Sequence, residues 1–228
     1  MWRRLLKRIH PEGIPWPGSV LYNALSRTRI FRQHYRLLAQ DISGYCREGS
    51  ILDVGTGPGR LLLSLHEFCP RARLIGVDIS RAMVAKAREN LARAGLSDVI
   101  QVQVSAAQQL PFGADSFDAV VSTGSVHHWK DPTAAFNDAY RVLRPGGWAL
   151  MYDLVADTPR EVLQNLTREH GRFRVLFLRL HSLEEPFHTV DAFASLAGLT
   201  SFKTGQVRFV GALCCLAMQK PADDCRHR

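Results

Sequence analysis

From residue 50 to residue 153 the chain repeats one pattern: a short apolar run, a turn, then a stretch of helical periodicity. The apolar runs cover 50–54, 74–78, 100–104, 117–122 and 148–153, and the helical stretches cover 59–68, 81–94 and 133–143. Such alternation has few solutions, because parallel strands need crossovers that pack back onto a face of their sheet. The runs are apolar throughout rather than at every second position, as strands covered on both faces are. The expected fold is α/β, with a doubly wound, mostly parallel sheet of about seven strands. The last two runs, 200–207 and 209–218, read as an antiparallel pair closing one edge.

Outside this series, residues 10–19 are a loop rich in proline and glycine, and 20–45 carry a helical pattern through Leu21, Leu25, Ile30, Tyr35, Leu38 and Ile42. Further helical signals lie at 159–170 and 190–197. The expected organisation is a basic helical extension over 1–48, a main α/β domain over 49–220 with cap helices within 160–197, and a tail over 221–228.

The net charge of +8 is unevenly placed. Residues 1–48 hold nine Lys/Arg against three Asp/Glu, 49–158 hold ten against eleven, and 159–180 hold five against two. A basic surface at the two flanking segments can meet an anionic lipid surface or an acidic ligand, and peripheral membrane contact is expected there. The segment 160–186 mixes arginines with Phe173, Val175, Leu176, Phe177, Leu178 and Leu180, which suits a lid over a lipophilic substrate or a membrane-surface helix. No stretch approaches the ~18 apolar residues a spanning helix needs, and residues 1–8 are not followed by an apolar signal core. Five scattered cysteines without a CxxC pair argue against a disulfide framework and a zinc site, and for a cytoplasmic location. Cys214 and Cys215 should point to opposite faces of a strand.

The loop after the first run, Asp53-Val54-Gly55-Thr56-Gly57-Pro58-Gly59, carries the chemistry. Glycines let the backbone turn sharply and approach a ligand, and a following helix presents free N–H groups to it. Pro58 is placed for the first helical position. Asp53 can orient the loop or accept a bond from an ammonium group. The spacing is G-x-G-x-G, which differs from the G-x-G-x-x-G of dinucleotide binders and argues against a nicotinamide-dependent oxidoreductase. About 20 residues on, Gly76-Val77-Asp78-Ile79-Ser80 ends the second run. Asp78 there can take both ribose hydroxyls of a nucleoside while Ser80 caps the next helix.

These two segments, together with Leu110-Pro111-Phe112, Ser116-Phe117-Asp118-Ala119-Val120 and Arg141-Val142-Leu143-Arg144-Pro145-Gly146-Gly147, resemble the class I methyltransferases that use S-adenosyl-L-methionine (SAM). The likeness spans about residues 45–155 and is nearest to the ubiquinone/menaquinone-biosynthesis branch, methyltransferase type 11. It implies a Rossmann-like domain, SAM as cofactor and S-adenosyl-L-homocysteine as product. By the same likeness Asp53, Gly55, Thr56, Gly57 and Gly59 hold the methionine end, Asp78 the ribose, and Ile79 and Met83 the adenine, with Ala106, Ala107 and Ser122 completing the site. One departure stands out. Such proteins commonly carry an aspartate on the adenine amino group, and that position falls on Ala106 in Ser105-Ala106-Ala107-Gln108-Gln109-Leu110. Ser105, Gln108 or the backbone is left to make the contact.

The acceptor should sit beyond the fourth run, where Thr123-Gly124-Ser125-Val126-His127-His128-Trp129 follows. His127 and His128 are the candidate bases, since imidazole titrates near neutral pH. Asp153 ends the fifth strand facing the cavity. Arg144-Pro145-Gly146-Gly147 reads as a turn into that strand, and Asp131-Pro132 as a helix start. No metal site is expected, because adjacent histidines lack the spacing that puts two ligands on one helical face. The expected activity is methyl transfer to a small acceptor, lipophilic or natural-product-like; the alternative is a weak or inactive SAM-binding regulatory protein. Nucleic acid is disfavoured, because Ser122-Thr123-Gly124-Ser125 stands where amino-methylating enzymes carry an Asn/Asp-Pro-Pro-aromatic motif.

Overall fold

The computed structural model describes residues 29–170 and 187–222 of the chain. Its elements in chain order are α1 (Arg29–Ser43), β1 (Ser50–Val54), α2 (Arg60–Phe68), β2 (Arg73–Asp78), α3 (Arg81–Arg93), β3 (Gln101–Val104), β4 (Phe117–Thr123), a 3-10 turn (Val126–His128), α4 (Pro132–Val142), β5 (Leu143–Asp153), α5 (Arg160–His170), α6 (Val190–Gly198), β6 (Gln206–Val210) and β7 (Leu213–Gln219). The stretches expected at 1–28, 171–186 and 223–228 lie outside the described residues.

The seven strands form one sheet in the order β3-β2-β1-β4-β5-β7-β6. β1 to β5 run parallel, and β7 runs antiparallel to both β5 and β6. The chain winds outward from β1 through β2 to β3, then crosses to β4 and winds the other way. That reversal between β1 and β4 leaves a crevice at the C-terminal strand ends, the place where open α/β sheets bind ligands.

Alternate side chains of the strands feed two cores. Ile51, Leu74, Val121, Tyr152 and Cys215 pack with Leu38 and Ile42 of α1, Leu61 and Leu65 of α2, and Ala87 and Leu91 of α3. Leu52, Ile75, Val120, Met151 and Cys214 pack on the other face with Phe136 and Ala139 of α4 and Phe193 and Leu196 of α6. Cys214 and Cys215 thus face opposite layers, and burial pushes both thiols up to about 12.

Three local expectations need correction. Pro58 is not the first helical residue: α2 begins at Arg60, and Gly59 is its N-cap at φ 74, a left-handed conformation that favours glycine. Residues 144–147 are not a turn ahead of the strand but lie within β5. Phe117 pairs with Leu143 and Ala119 with Trp148, so the intervening residues bulge opposite Asp118, whose carboxylate accepts Arg144 Nη1 at 2.6 Å and Ser50 N at 2.7 Å. The first C-terminal strand spans 206–210, not 200–207. Residues 200–203 instead form the turn after α6: Thr200 Oγ1 donates to Ala197 O at 2.8 Å, and Lys203 N to Thr200 O at 3.1 Å.

α1 is clasped to the sheet by a polar cluster. Asp41 accepts both Arg208 guanidinium nitrogens at 2.7 and 2.6 Å and the Tyr152 hydroxyl at 2.6 Å. Among the described residues no helix is long and apolar enough to cross a membrane.

Candidate functional site

The glycine loop leaves β1 and is pinned to the end of β2. Gly55 N and Thr56 N both donate to Val77 O, at 2.8 and 2.9 Å. Gly57 N donates to Asp78 Oδ2 at 2.8 Å, while Ser80 N donates to Asp78 Oδ1 at 2.8 Å. Asp78 was expected free for a ligand; each oxygen instead holds one backbone N–H. A carboxylate offers about four lone-pair directions, so accepting capacity remains on both oxygens. Burial raises the Asp78 carboxyl above its usual range, against the lowering effect of those two bonds. Ser80 caps α3 as expected, through Met83 N at 3.4 Å.

Asp53 is fully buried, and its two oxygens differ. Oδ2 accepts Thr56 Oγ1 at 2.7 Å, and Oδ1 has no partner among the described residues. Burial pushes the carboxyl up to about 7, with the nearby Asp78 charge adding to the rise and the Thr56 bond opposing it. A second buried, unpartnered oxygen, Ser122 Oγ at the end of β4, lies across the same crevice. Gly55, at φ 76, lets the loop approach Ser125 closely: a Cβ there would overlap Ser125 Oγ and sit 4.0 Å from Ser122 Oγ. Unpaired buried polar atoms are costly in a folded protein, so a carboxylate oxygen and a hydroxyl without partners here mark a place for polar groups that the described residues do not supply. The ammonium of a bound amino acid moiety is such a group.

Beyond Asp78, Ile79 is 38% exposed and Met83 is buried in the first turn of α3. Ala106 and Ala107 lie in the loop after β3, next to the end of β2, where Ser105 N donates to Asp78 O at 3.0 Å. Of the residues expected at the cofactor site, Asp53, Gly55, Thr56, Gly57, Gly59, Asp78, Ile79, Ala106, Ala107 and Ser122 lie at or just beyond the C-terminal ends of β1, β2, β3 and β4, and Met83 lies in α3.

At the ends of β4 and β5 the structure separates the two histidines. His127 is 7% exposed and its Nδ1 lies 2.8 Å from Asp153 Oδ1 and 3.1 Å from Oδ2. Asp153 Oδ2 also accepts His127 N, and Oδ1 accepts Leu154 N, both at 2.8 Å. An ionised carboxylate only accepts, so it fixes the proton on Nδ1 and leaves the Nε2 lone pair outward. Among the described residues no hydrogen bond engages His127 Nε2. His128 stacks on His127 with ring centroids 3.9 Å apart, and Phe187 packs on the same ring at 4.4 Å. Trp129 Nε1 donates to Ser125 Oγ at 3.0 Å, which steadies the loop from below.

Sequence reasoning placed Asp153 near the cavity but did not pair it with His127; it named Ser125 only as part of the segment 123–129, and it overlooked Phe187. The signal for Asp153 was available: a carboxylate closing an apolar central strand has to find a buried partner. Phe187 had none.

The comparisons with known proteins agree with this geometry. Residues 52–151 match the family described as a methyltransferase domain. The chain is 35% identical over 121 residues to the erythromycin 3''-O-methyltransferase of Saccharopolyspora erythraea, which covers 53% of this chain and 40% of that protein. It is 31% identical over 145 residues to a ubiquinone/menaquinone biosynthesis C-methyltransferase of Geotalea daltonii, covering 62% of this chain and 61% of that one. The chain thus spans about half the length of these relatives. A solved structure from Methanococcus maripaludis, described as a candidate S-adenosyl-L-methionine-dependent methyltransferase, superposes with a TM-score of 0.73 at 22% identity, over 95% of this chain and 99% of that one. The sheet order, the glycine loop and the match to the methyltransferase-domain family fall on one segment, residues 52–151, which is similar to the class I, SAM-dependent methyltransferases.

Proposed function

We propose that this chain transfers the SAM methyl group to a hydroxyl of a small, lipophilic acceptor, with His127 as base and Asp153 as its positioning residue. The observation that carries this reading is the buried His127–Asp153 pair, with Nδ1 held at 2.8 Å and Nε2 directed away from the carboxylate. A nucleophile already stripped of its proton needs only alignment, whereas a neutral hydroxyl needs a base at the moment of attack.

The cofactor residues follow from the unpaired polar atoms. Asp53 Oδ1 takes the ammonium, the Gly55–Gly57–Gly59 loop admits the amino acid moiety, and Thr56 holds the other Asp53 oxygen. Ser122 closes that end. Asp78 takes the ribose hydroxyls on its remaining lone pairs. Ile79, Met83, Ala106 and Ala107 enclose the base. Bound SAM supplies a methyl on a sulfonium, an electrophile that needs no activation by the protein. A hydroxyl attacking that methyl would give up its proton to His127 Nε2. Asp153 then balances the imidazolium charge. Phe187, 5% exposed, and His128 wall the imidazole against water and offer rings to an apolar acceptor.

In this reading the catalytic domain is 49–220, and the chain works in the cytoplasm. The basic α1, with Arg32 exposed, Arg36 exposed but paired with Glu67, and Leu37 42% exposed, gives it a face for an anionic membrane holding lipophilic acceptors. Calorimetric titration with SAM, S-adenosylhomocysteine and NADH tests the cofactor: the first two bind and NADH does not. A panel of hydroxylated lipophilic acceptors then tests the reaction. Methylation by wild type and its loss in His127→Ala, with S-adenosylhomocysteine still bound, is the expected pair of results. Undiminished turnover in His127→Ala would overturn the assignment of the base.

A further inference from the structure

The base end of the cofactor site differs from the methionine end in what it offers a ligand. β2 and β3 are parallel neighbours with Asp78 opposite Val104, so the loop leaving β3 lies directly beside Asp78 and Ile79. A nucleoside whose ribose sits on Asp78 must put its base between Ile79 and that loop. The loop, Ser105-Ala106-Ala107-Gln108-Gln109-Leu110, contains no carboxylate. The Ser105 hydroxyl is turned onto its own loop, 3.1 Å from Ala106 O and 3.0 Å from Gln109 O. Ala106 O also accepts Gln109 N at 3.3 Å. Ala106 and Gln108 are half-buried in this loop, and Ala107, 9% exposed, is packed into the core.

A site rejects an analogue lacking an N–H strongly only when it holds a buried acceptor that the analogue leaves unpaired. No side chain of the loop is a charged acceptor for an exocyclic amine. Resting on the SAM reading above, we infer that this chain recognises the purine of its cofactor by shape and apolar contact and does not read the 6-amino group. Ala106 is the residue that sets this tolerance. The ligand class widens accordingly, to nucleoside thioethers and sulfoniums whose purine bears no 6-amino group.

The test is calorimetric titration of the full chain with S-adenosylhomocysteine and with its analogue carrying unsubstituted purine. Wild type is expected to bind the two within about twofold of each other, below the range of about 0.5–1.5 kcal/mol that one ordinary hydrogen bond provides. Ala106→Asp restores an acceptor and should favour the adenine form by about tenfold or more, the effect of a hydrogen bond to a charged group. Ala106→Asn, a neutral acceptor of similar size, serves as the second variant, with a smaller preference in the same direction. Gln108→Ala should leave the wild-type ratio unchanged. A wild-type preference for adenine above about tenfold overturns the inference while leaving the cofactor reading intact. If that preference disappears in Gln108→Ala, Gln108 is the reader and Ala106 is not. Failure of both ligands to bind wild type defeats the cofactor reading itself, and this inference falls with it.

Discussion

Two buried aspartates close central strands of the same sheet, and the fold treats them oppositely. Asp53, at the end of β1, keeps Oδ1 without a partner and has its carboxyl pushed up to about 7 by burial. Asp153, at the end of β5, has both oxygens engaged, by His127 N, His127 Nδ1 and Leu154 N. A bare buried oxygen is waiting for a charge that only a ligand brings. A fully paired one is complete before any ligand arrives, and it acts through the imidazole it orients. On the proposed function, the contrast separates a half of the crevice that would hold an ammonium from a half that would move a proton.

The sharpest break of that contrast is Asp153→Asn. An amide cannot hold the imidazole in the same tautomer, so turnover should fall by about 10²- to 10⁴-fold, the range set by general-base catalysis. S-adenosylhomocysteine affinity should stay within about twofold. Single-turnover kinetics beside calorimetry separates the two effects, and a parallel loss of binding would mean that the halves are not independent.

Asp53→Asn attacks the other half. It exchanges a charged acceptor for a neutral one, and affinity for S-adenosylhomocysteine should drop by about 10- to 100-fold. The pH dependence sharpens the same point. Only ionised Asp53 holds an ammonium, so wild-type affinity should weaken about tenfold per pH unit below about 7 and level off above it. The Asn variant should lack this slope. Stability without ligand runs the other way. The folded carboxyl is raised from 3.8 to about 7, so its contribution is complete below the unfolded value and is lost as pH rises through the folded one. Thermal denaturation of the ligand-free chain between pH 4 and pH 8 should therefore show wild type losing stability relative to Asp53→Asn. A wild-type affinity curve without slope would show that Asp53 does not meet the ammonium.

The smallest effect on the site is expected from Asp41→Asn, far from both aspartates. It weakens the Arg208 pair and the Tyr152 bond that clasp α1 to the sheet. The Asp41 and Arg208 side chains are 21% and 33% exposed, so a loss of about 1–2 kcal/mol in a denaturant titration is reasonable. Cofactor affinity should not move. If it does, α1 belongs to the cofactor half of the comparison.

The sequence by itself determined the layered α/β scaffold, because strand and helix periodicities are local and a parallel sheet admits few connections. It also marked the cofactor half, since Asp53, Gly55, Thr56, Gly57 and Gly59 lie in one short loop and Asp78 closes the very next strand. The catalytic half depended on contacts that no local pattern contains. His127 and Asp153 are 26 residues apart and belong to the ends of different strands, so adjacent His127 and His128 could not be told apart until the sheet placed Asp153 under one of them. Phe187 reaches the imidazole from a segment with no motif of its own. Asp41 and Arg208 are 167 residues apart, and their pairing was decided by the antiparallel return of the C-terminal strands. Periodicity and loop chemistry act along the chain, whereas the pairing of buried charges is set by which strand ends the sheet brings together.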